Sequence, residues 1–428
     1  MKFNHFRFPL PILAVSIFLL SLNALRADEN IQWAHWRGHG GNGVSTTATP
    51  PTEWSETENL KWKVEIPGQG SGSPVIWGNQ VFVTSAISVG SGGRLPKLSF
   101  QIFCFDREKG TLLWNKTAVE STPHEGTHKT NSYASASTCT DGDRVYAHFG
   151  SRGLFCYDMK GELLWSRTDF GKMKTRASFG EGSSPTLADD KIIVPWDHEG
   201  ASALYALDKK NGETLWKIGR DEPTCWATPL IVDASGRKQV IMNGQNNACA
   251  YNLEDGVELW RCGGQTERPV ASAVFADGIA HIGSGFRGSF MGAFRLTGTG
   301  DIEGSENVVW TTDDDTPDIA SPLLSDGRIY FYKGKTGILT CLDAATGKVN
   351  FGPERIPRIS STYASPMAAG GHVYLTDRGG SITVIKDAGT LEVVATNSLG
   401  EGIDATPAPV GSDLFIRGSK HLFCISEN

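Results

Sequence analysis

One pattern in the sequence indicates the fold, and it is seen most clearly in Tyr205-Ala206-Leu207-Asp208-Lys209-Lys210-Asn211-Gly212-Glu213-Thr214-Leu215-Trp216. A short apolar strand ends in Asp, a polar turn follows, and the next strand opens with Gly and closes on Trp four residues later. The same spacing separates three more pairs of residues: Gly110 and Trp114, Gly161 and Trp165, Gly256 and Trp260. Short strands divided by turns at regular intervals, without a long amphipathic helix, indicate an antiparallel all-β array.

Each unit of this repeat begins with a small residue followed by Ser or Thr. The Ser and Thr of the eight starts are Ser73, Ser137, Ser184, Thr228, Ser272, Ser321, Ser365 and Thr406. Each start leads through two short strands into one that ends in Asp, as in Ile338-Leu339-Thr340-Cys341-Leu342-Asp343, and then into the Gly-to-Trp strand. Four strands in a unit of roughly forty residues make one propeller blade, which buries both faces only by stacking on its neighbours around a ring.

The two ends of the repeat array predict how the ring closes. The last unit, 406–426, supplies only three strands before the chain stops. The missing outer strand is present at the other end, in Asn59-Leu60-Lys61-Trp62-Lys63-Val64, which carries Trp at the position that the repeat requires. Pairing the two ends removes exposed sheet edges. The sequence therefore predicts an all-β, eight-bladed β-propeller of four-stranded antiparallel blades over 59–428, closed by an N-terminal strand that completes the last blade.

The residues before the propeller divide into two segments. Residues 1–27 have a basic start at Lys2 and Arg7, an apolar run and Ala27 as a small residue for cleavage, which indicates a secretory signal peptide. Residues 28–58 form the expected N-terminal strap, a flexible segment that Trp33 and Trp36 pack onto the propeller. The strap contains Gly38-His39-Gly40-Gly41-Asn42-Gly43, a literal GxGxxG, but a dinucleotide site needs a strand before it and a helix after it. We interpret this match as a false positive.

Charge and cysteine content exclude several classes of protein. The net charge of −7 and the absence of a Lys/Arg block argue against nucleic acid as a partner. Four of the eight cysteines share one repeat position that Ala206 fills in another unit, so we expect a small buried apolar site there. These are Cys104, Cys156, Cys341 and Cys424. For the other four, disulfide pairing remains open: Cys139, Cys225, Cys249 and Cys262.

The repeat residues resemble those of a known family of propellers. The strand 205–208, followed by 212–216, resembles the repeat of pyrroloquinoline-quinone (PQQ)-like β-propellers, and Ser365-Pro366 and its counterparts match the start of that repeat. The family includes PQQ-dependent alcohol dehydrogenases and the non-enzymatic outer-membrane assembly factor BamB. The leader Trp33-Ala34-His35-Trp36-Arg37-Gly38 and the segment Asn131-Ser132-Tyr133-Ala134-Ser135 further resemble a group of exported bacterial propellers.

The resemblance implies a test of the dehydrogenase function. Such enzymes hold the quinone between a Trp and a disulfide of adjacent cysteines, with Ca²⁺ at the quinone and an Asp as base. This sequence has no adjacent cysteines and no Cys-x-x-Cys-His haem motif. Trp226 offers a stacking floor and Asp318 or Asp404 a base. The alternative, which we favour, is that these residues line a solvated channel mouth.

Six residues at or shortly before strand starts are the candidate ligand-binding residues of the channel mouth. They are His128, Asn131, Tyr133, Trp226, Arg268 and Tyr363. Two alternatives are a metal site at His124 and His128 and a Ca²⁺ site at Asp313-Asp314-Asp315. We favour solvated loops at both places. We assign no catalytic residue and no metal site.

The leading hypothesis is an exported, non-catalytic, BamB-like scaffold that binds a protein, a peptide or a small molecule at one channel face. It is expected in the periplasm or secreted, as a monomer, with no cofactor and no membrane span once the signal is removed. The competing hypothesis is a PQQ-dependent oxidoreductase with a reduced active site that uses PQQ and Ca²⁺.

Overall fold

Eight small sheets of four or five strands follow one another along the chain. The computed structural model describes residues 32–91, 93–234 and 236–427, so the expected signal peptide over 1–27 lies outside the described residues. The predicted all-β, eight-bladed propeller is confirmed. Helical structure in the described residues is limited to three 3-10 turns, His39–Gly41, Gly150–Arg152 and Arg176–Ser178. Among these described helices none combines the length and apolar character needed to cross a membrane.

The blades are numbered 1 to 8 in the order of their inner strands, which lie nearest the axis. From inner to outer, the strands of blades 1 to 4 are Val75–Trp77, Gln80–Ser91, Pro96–Asp106 and Leu112–Ser121; Cys139–Thr140, Arg144–His148, Leu154–Asp158 and Leu163–Arg167; Thr186–Ala188, Lys191–Trp196, Ala203–Asp208 and Thr214–Gly219; Leu230–Ala234, Arg237–Met242, Ala248–Asn252 and Glu258–Cys262. Those of blades 5 to 8 are Val274–Ala276, Ile279–Ser284, Phe290–Arg295 and Val308–Thr312; Leu323–Ser325, Arg328–Tyr332, Ile338–Asp343 and Val349–Arg355; Met367–Ala369, His372–Thr376, Ser381–Lys386 and Val393–Ser398; Ala408–Val410, Asp413–Arg417, His421–Ile425 and Leu60–Glu65.

The N-terminal strand closes the ring as the sequence predicts. Leu60–Glu65 pairs antiparallel with His421–Ile425, and Trp62 lies opposite Cys424 in the register. Blade 8 is therefore assembled from both ends of the propeller, and no sheet among the described residues is left with three strands. Because unfolding either end breaks the pairing, closure couples the stability of the first blade to that of the last.

A closed ring of hydrogen bonds surrounds the axis, and it explains the repeated Ser or Thr. The hydroxyl of each accepts a hydrogen bond, 2.8 to 3.1 Å long, from the backbone N–H of its counterpart in the preceding blade. The ring runs in the order Ser73, Ser137, Ser184, Thr228, Ser272, Ser321, Ser365, Thr406 and back to Ser73. We call it the hydroxyl ring. It satisfies buried backbone donors that blade packing would otherwise leave unpaired.

The outer-strand tryptophans join neighbouring blades at the rim. The indole N–H of Trp62 donates to the carbonyl of Arg107 at 2.8 Å, and its ring packs on Gly110 of the next blade. The same contact recurs for Trp114, Trp165, Trp216 and Trp310. These strands continue beyond their Trp, as Leu112–Ser121 shows, so the expected strand end at Trp is wrong. The Trp fixes the packing of the blades and not the length of the strand.

Trp260 departs from this pattern. A short strand from blade 5, Gly300–Asp301, pairs parallel with the outer strand of blade 4 and places Gly300 opposite Trp260. The Trp260 side chain is fully buried, and its indole N–H has no hydrogen-bond partner among the described residues. Blade 4 therefore has its outer edge covered by the chain itself.

The cysteines lie in the interior of the blades. All eight belong to the described part of the chain, where each is buried and unpaired. Burial raises the pKa of the Cys249, Cys262 and Cys341 thiols to about 11. The interpretation of the cysteines as core residues is confirmed, and the possible pairing of the remaining four is wrong.

The antiparallel blades give the propeller two different faces. One face carries the strand starts and the loops that join the second and third strands of each blade, and we call it the loop face. The opposite face carries the tight turns after the inner and third strands, such as those at Gly411 and Gly110, and we call it the turn face. The two faces differ in what covers the channel.

Residues 32–49 lie across the channel at the turn face, and we call this segment the plug. Gln32–Trp33 pairs with the inner strand of blade 1, and Val44–Ser45 pairs parallel with that of blade 7. Contacts to the six other blades join Ala34 to Thr140, His35 to Thr186, Gly41 to Leu230, Asn42 to Phe275, Arg37 to Pro322 and Thr49 to Gly411. This segment packs on the propeller and contacts all eight blades.

Candidate functional site

The axial channel widens on the loop face into a cavity of about 330 Å³. Members of the hydroxyl ring form its inner wall: Ser73, Ser137, Ser184, Thr228, Ser365 and Thr406. Trp36 of the plug reaches its floor. Because the plug spans the turn face beneath Trp36, the cavity is accessible from the loop face. We call it the axial cavity.

Aromatic side chains from four different loops line the axial cavity. Trp226, Phe179, Phe286 and Tyr363 are all half-buried there. The Trp226 indole N–H donates to the carbonyl of Gly180 at 2.7 Å, so its ring is held in one orientation. Aromatic rings that are fixed before a ligand arrives offer a flat apolar surface at little conformational cost.

A group of charged side chains lies beside these rings. Arg268 and Lys335 line the cavity, and both approach the Oδ2 atom of Asp318, at 3.5 and 3.4 Å. The Arg268 guanidinium also lies over the Phe286 ring, 3.3 Å from its centroid. Burial lowers the pKa of Arg268, whereas Asp318 opposes that shift. Two cations thus share one buried carboxylate.

A second ion pair, between Arg378 and Asp404, lies beside the Tyr363 ring. Arg378 donates to both carboxylate oxygens of Asp404, at 2.6 and 3.1 Å, and its guanidinium lies 4.0 Å from the centre of the Tyr363 ring. Asp404 lines the cavity. Bidentate pairing of this kind fixes both partners.

His128 joins the loop before blade 2 to this wall. Its Nδ1 lies 2.7 Å from the Thr130 hydroxyl, which in turn shares a hydrogen bond of 2.9 Å with the Tyr363 hydroxyl. Its ring contacts Phe179 edge-on. Burial and then the positive charges of Lys129, Lys335, Arg268 and Arg378 lower its pKa. Burial and these cations therefore disfavour the protonated form of His128.

Five of the six residues expected at the channel mouth line the axial cavity. They are His128, Asn131, Trp226, Arg268 and Tyr363. The Asn131 amide already donates to the carbonyls of Phe179 and Glu181, and its Oδ1 accepts from Ser132 and Ser135. Asn131 therefore holds the loops together more than it offers atoms to a ligand.

Tyr133 lies elsewhere, beside a second cavity of about 30 Å³ between the loops of blades 2 and 3. Its hydroxyl donates to the carbonyl of Glu125 at 3.1 Å, and Arg152 lies over its ring. His148 and Asp197 also line this space, which has room for water-sized molecules only. It is separate from the aromatic wall of the axial cavity except at Trp226.

The residues considered as metal ligands lie in different surroundings. His124 contacts the Met173 carbonyl and Arg152, whereas His128 faces the axial cavity, so the two imidazoles have different surroundings. Asp315 pairs with Lys333 on an exposed loop. Within the described residues no group of three or more His, Cys, Asp or Glu side chains is placed to hold a metal ion.

Sequence reasoning did not identify several residues of the cavity. Phe286, Lys335 and Arg378 lie in the loops that join the second and third strands of blades 5, 6 and 7, in that order. Those loops lie on the same face as the strand starts, because the strands alternate in direction. The repeat could therefore have identified these loops as part of the cavity face, because the segments 285–289, 333–337 and 377–380 occupy equivalent positions in their blades.

A PQQ–Ca²⁺ pair can be tested against these side chains. Aromatic rings and cations suit a flat anion such as the quinone, but Ca²⁺ needs several free oxygen ligands. The carboxylates nearest the cavity, Asp318 and Asp404, are already engaged by Arg268, Lys335 and Arg378. The residues present do not fit the metal that would polarise the quinone, and we derive no redox step.

Two overlapping stretches of the sequence, 32–177 and 99–352, match the model of a protein family described as outer membrane protein assembly factor BamB. Together they span well over half of the 428 residues. No curated protein matches the sequence.

Solved structures show the same architecture at low sequence identity. BamB from Moraxella catarrhalis superposes with a TM-score of 0.57 and 11% identity, over 86% of this chain and 99% of BamB. The quinohemoprotein alcohol dehydrogenase from Comamonas testosteroni gives 0.63 and 11%, over 95% of this chain and 82% of the enzyme. The computationally designed protein Ika8 gives 0.59 and 12%, over 84% and 98%. Because a scaffold and an enzyme share this fold, the likeness supports the fold alone.

Proposed function

The chain belongs to the family of the outer membrane protein assembly factor BamB, and from that premise we propose that it is a non-catalytic propeller that binds a small ligand in the axial cavity. The observation that carries the proposal is the cavity itself. It is lined by four aromatic side chains, backed by the plug and reached from the loop face.

The dimensions of the cavity support a small ligand. Its volume of about 330 Å³ lies at the lower end of the range typical of drug-sized ligands. With the plug across the turn face, an extended polypeptide has no path along the axis. A protein partner would therefore contact the cavity through a single side chain or a chain end.

The engaged carboxylates support a binding function over a catalytic one. A general base needs a free carboxylate oxygen within hydrogen-bond reach of the proton it removes. Both oxygens of Asp404 receive hydrogen bonds from Arg378. Asp318 is buried, and its Oδ2 pairs with Arg268 and Lys335 while its Oδ1 has no hydrogen-bond partner among the described residues. A reaction that used Asp404 would first have to break an ion pair, and one that used Asp318 would have only the buried Oδ1 available.

The competing function, a PQQ-dependent oxidoreductase, is tested directly with the purified protein. PQQ and Ca²⁺ are added, and alcohols are assayed with an artificial electron acceptor. The proposal expects no turnover above that of free PQQ. Stoichiometric PQQ binding with turnover that depends on the protein would establish the oxidoreductase function instead.

Replacing Trp226 with Ala is expected to weaken binding of an aromatic probe, 2-naphthoate, by at least about tenfold, because a fixed ring contributes roughly 1 kcal/mol or more of stacking. The melting temperature should fall by only about 3 °C, since the half-exposed side chain loses one hydrogen bond. Titration calorimetry and thermal unfolding measure the two effects. Trp226→Phe, which keeps a flat ring, should retain most of the affinity. A large fall in melting temperature with unchanged affinity would instead assign Trp226 to the packing of the propeller.

Export is part of the proposal and rests on the basic start, apolar run and Ala27 of the first 27 residues. The N-terminal sequence of the protein isolated from its native cells tests it. A mature chain that begins close to residue 28 is expected, and a chain that retains residues 1–27 contradicts export with cleavage.

A further inference from the structure

We infer that the ligand of the axial cavity is a small organic anion, whose negative charge is received by Arg268 and Lys335 while its apolar body packs on Trp226. This inference rests on the proposed function, because it names the chemical class that the same cavity takes. Four features of the described residues support it. Two cations share one carboxylate, buried guanidinium groups lack a carboxylate partner, and one guanidinium N–H has no acceptor. The positive charge of the cavity also contrasts with the negative net charge of the chain.

Positive side chains outnumber negative ones at the aromatic wall. Of the charged side chains that line the cavity, Arg268 and Lys335 are positive and only Asp404 is negative, while Asp318 lies beside the two cations. Because Asp404 is engaged bidentately by Arg378, Asp318 alone must balance Arg268 and Lys335. One positive charge is left beside the rings, and a ligand carboxylate, sulfate or phosphate group would neutralise it.

Two buried guanidinium groups, one in the plug and one at the loop-face end of the second strand of blade 8, have no carboxylate partner among the described residues. Arg37, beneath Trp36, donates to the carbonyls of Asn42 and Pro322, and Arg417 donates to the carbonyl of Thr84. Burial lowers the pKa of Arg37 to about 9 and that of Arg417 to about 10, so both remain protonated at neutral pH. Charges held in a low-dielectric interior are poorly screened, so Arg37, which lies against the Trp36 ring at the cavity floor, adds to the positive potential of the cavity.

Arg268 also has an unused donor. Its Nε atom is buried and has no hydrogen-bond acceptor among the described residues. The Oδ1 atom of Asp318 is also buried there and has no hydrogen-bond donor. The backbone of Arg268 is held at φ 46°, a conformation that a non-glycine residue rarely adopts, while its N–H donates to the Gln245 side chain. An anion beside the guanidinium would supply the acceptor that the protein lacks.

The surplus of positive charge is local. The whole chain carries a net charge of −7, so its outer surface repels anions on average. A positive cleft in an acidic protein concentrates anions at one place and keeps cations from it. The cations of the cavity, Arg268 and Lys335, also disfavour the protonated form of His128.

The test compares two probes with the same aromatic body. Binding of 2-naphthoate and of its neutral analogue 2-naphthylmethanol to the full-length mature protein is measured by titration calorimetry. We expect 2-naphthoate to bind at least about tenfold more tightly, a difference of about 1.4 kcal/mol. PQQ and simple aromatic sulfates and phosphates are measured beside them, so that the source of the anionic group can be distinguished.

Variants assign the preference to the cavity. Arg268→Gln should reduce the ratio of the two affinities to about threefold or less, and Lys335→Met, at a partly exposed side chain, should reduce it without disturbing Asp318 burial. The matched control is Arg287→Gln, because Arg287 lies near the same Phe286 ring but is exposed to solvent. That variant should keep the preference of the unmodified protein.

The outcomes distinguish an error in the charge of the ligand from an error in the binding site. Equal affinities for both probes, with both lost in Trp226→Ala, would overturn the anionic ligand and leave the axial cavity as the binding site. Failure of both probes to bind at millimolar concentration would overturn the proposed function together with this inference. A preference that survives in both Arg268→Gln and Lys335→Met would place the anion elsewhere and also contradict the inference.

Discussion

Replacing Gly38 with Ala is expected to lower the free energy of unfolding by about 4 kcal/mol, whereas the same change at Gly40 should cost only about 1 kcal/mol. Both glycines belong to the plug and have similar φ values, 70° and 72°. Gly38 also has ψ −165°, a region that is accessible almost exclusively to glycine. A Cβ atom at Gly38 would lie 2.4 Å from the Trp33 ring, but no described atom lies within 4 Å of that position at Gly40.

The cost at Gly38 is large because Trp33 has nowhere to move. Its side chain is 3% exposed, and it belongs to the same apolar cluster as Ile76 and Phe103 of blade 1. Inserting a methyl group into such packing forces a shift of the backbone or of the indole. Denaturant unfolding of the two variants measures the difference. Equal costs at the two positions would show that the plug yields easily and does not hold Trp33 in place.

The Gly38 substitution also tests whether the plug matters for binding. The plug supports Trp36, which lies at the floor of the axial cavity. If the plug is displaced, the cavity gains a second opening and its wall loses a fixed surface. We expect faster dissociation of 2-naphthoate from Gly38→Ala than from Gly40→Ala, and stopped-flow fluorescence measures it.

Lowering the pH from 7 to 5 is expected to reduce the free energy of unfolding by about 4 kcal/mol through two buried histidines. The side chains of His148 and His281 are 2% and 1% exposed, and burial lowers the pKa of each to about 4. In the unfolded chain a histidine has a pKa near 6.5. Between pH 6.5 and pH 4 the unfolded state therefore binds more protons than the folded state, and stability falls as the pH falls.

The size of this effect follows from the same values. At pH 5 each of these histidines is mostly protonated when unfolded and mostly neutral when folded, a difference of about 2 kcal/mol per residue. His281→Gln should lose about 2 kcal/mol less between pH 7 and pH 5, whatever its stability at pH 7. The control is His39→Gln, because His39 is exposed on the plug. The same pH dependence in His281→Gln and the unmodified protein would contradict the argument.

The ring architecture could be predicted from sequence because every blade repeats the same local constraints. The Ser or Thr at each start is needed to satisfy a backbone N–H of the preceding blade, so it recurs with the blades. The Gly-to-Trp spacing recurs because Trp62 and its counterparts pack on a glycine of the next blade. The unpaired strand 59–64 showed where the two ends meet.

The plug could not be predicted in the same way. Its contacts join one short segment to residues hundreds of positions away, as for Arg37 and Pro322 or Asn42 and Phe275. No periodic pattern contains that information, because successive parts of the segment contact different blades through different kinds of contact. The strap was expected from Trp33 and Trp36, but its position across the channel depends on the finished ring.

The site was predictable in part. Trp226, Arg268 and Tyr363 were identified because they precede strand starts, which lie on one face of the propeller. Lys335 and Phe286 reach the same cavity from the loops between the second and third strands, and their role depends on how far each loop extends toward the axis. Loop conformation is set by contacts such as that between Arg268 and Phe286, which the repeat pattern does not contain.

A crystal structure of the protein with 2-naphthoate at saturating concentration shows whether the axial cavity is the ligand-binding site. We expect the naphthalene ring in the axial cavity against Trp226, with its carboxylate within about 3 Å of Arg268. An axial cavity without the probe, or a probe bound only at the rim of the blades, would contradict the assignment of this cavity as the ligand-binding site.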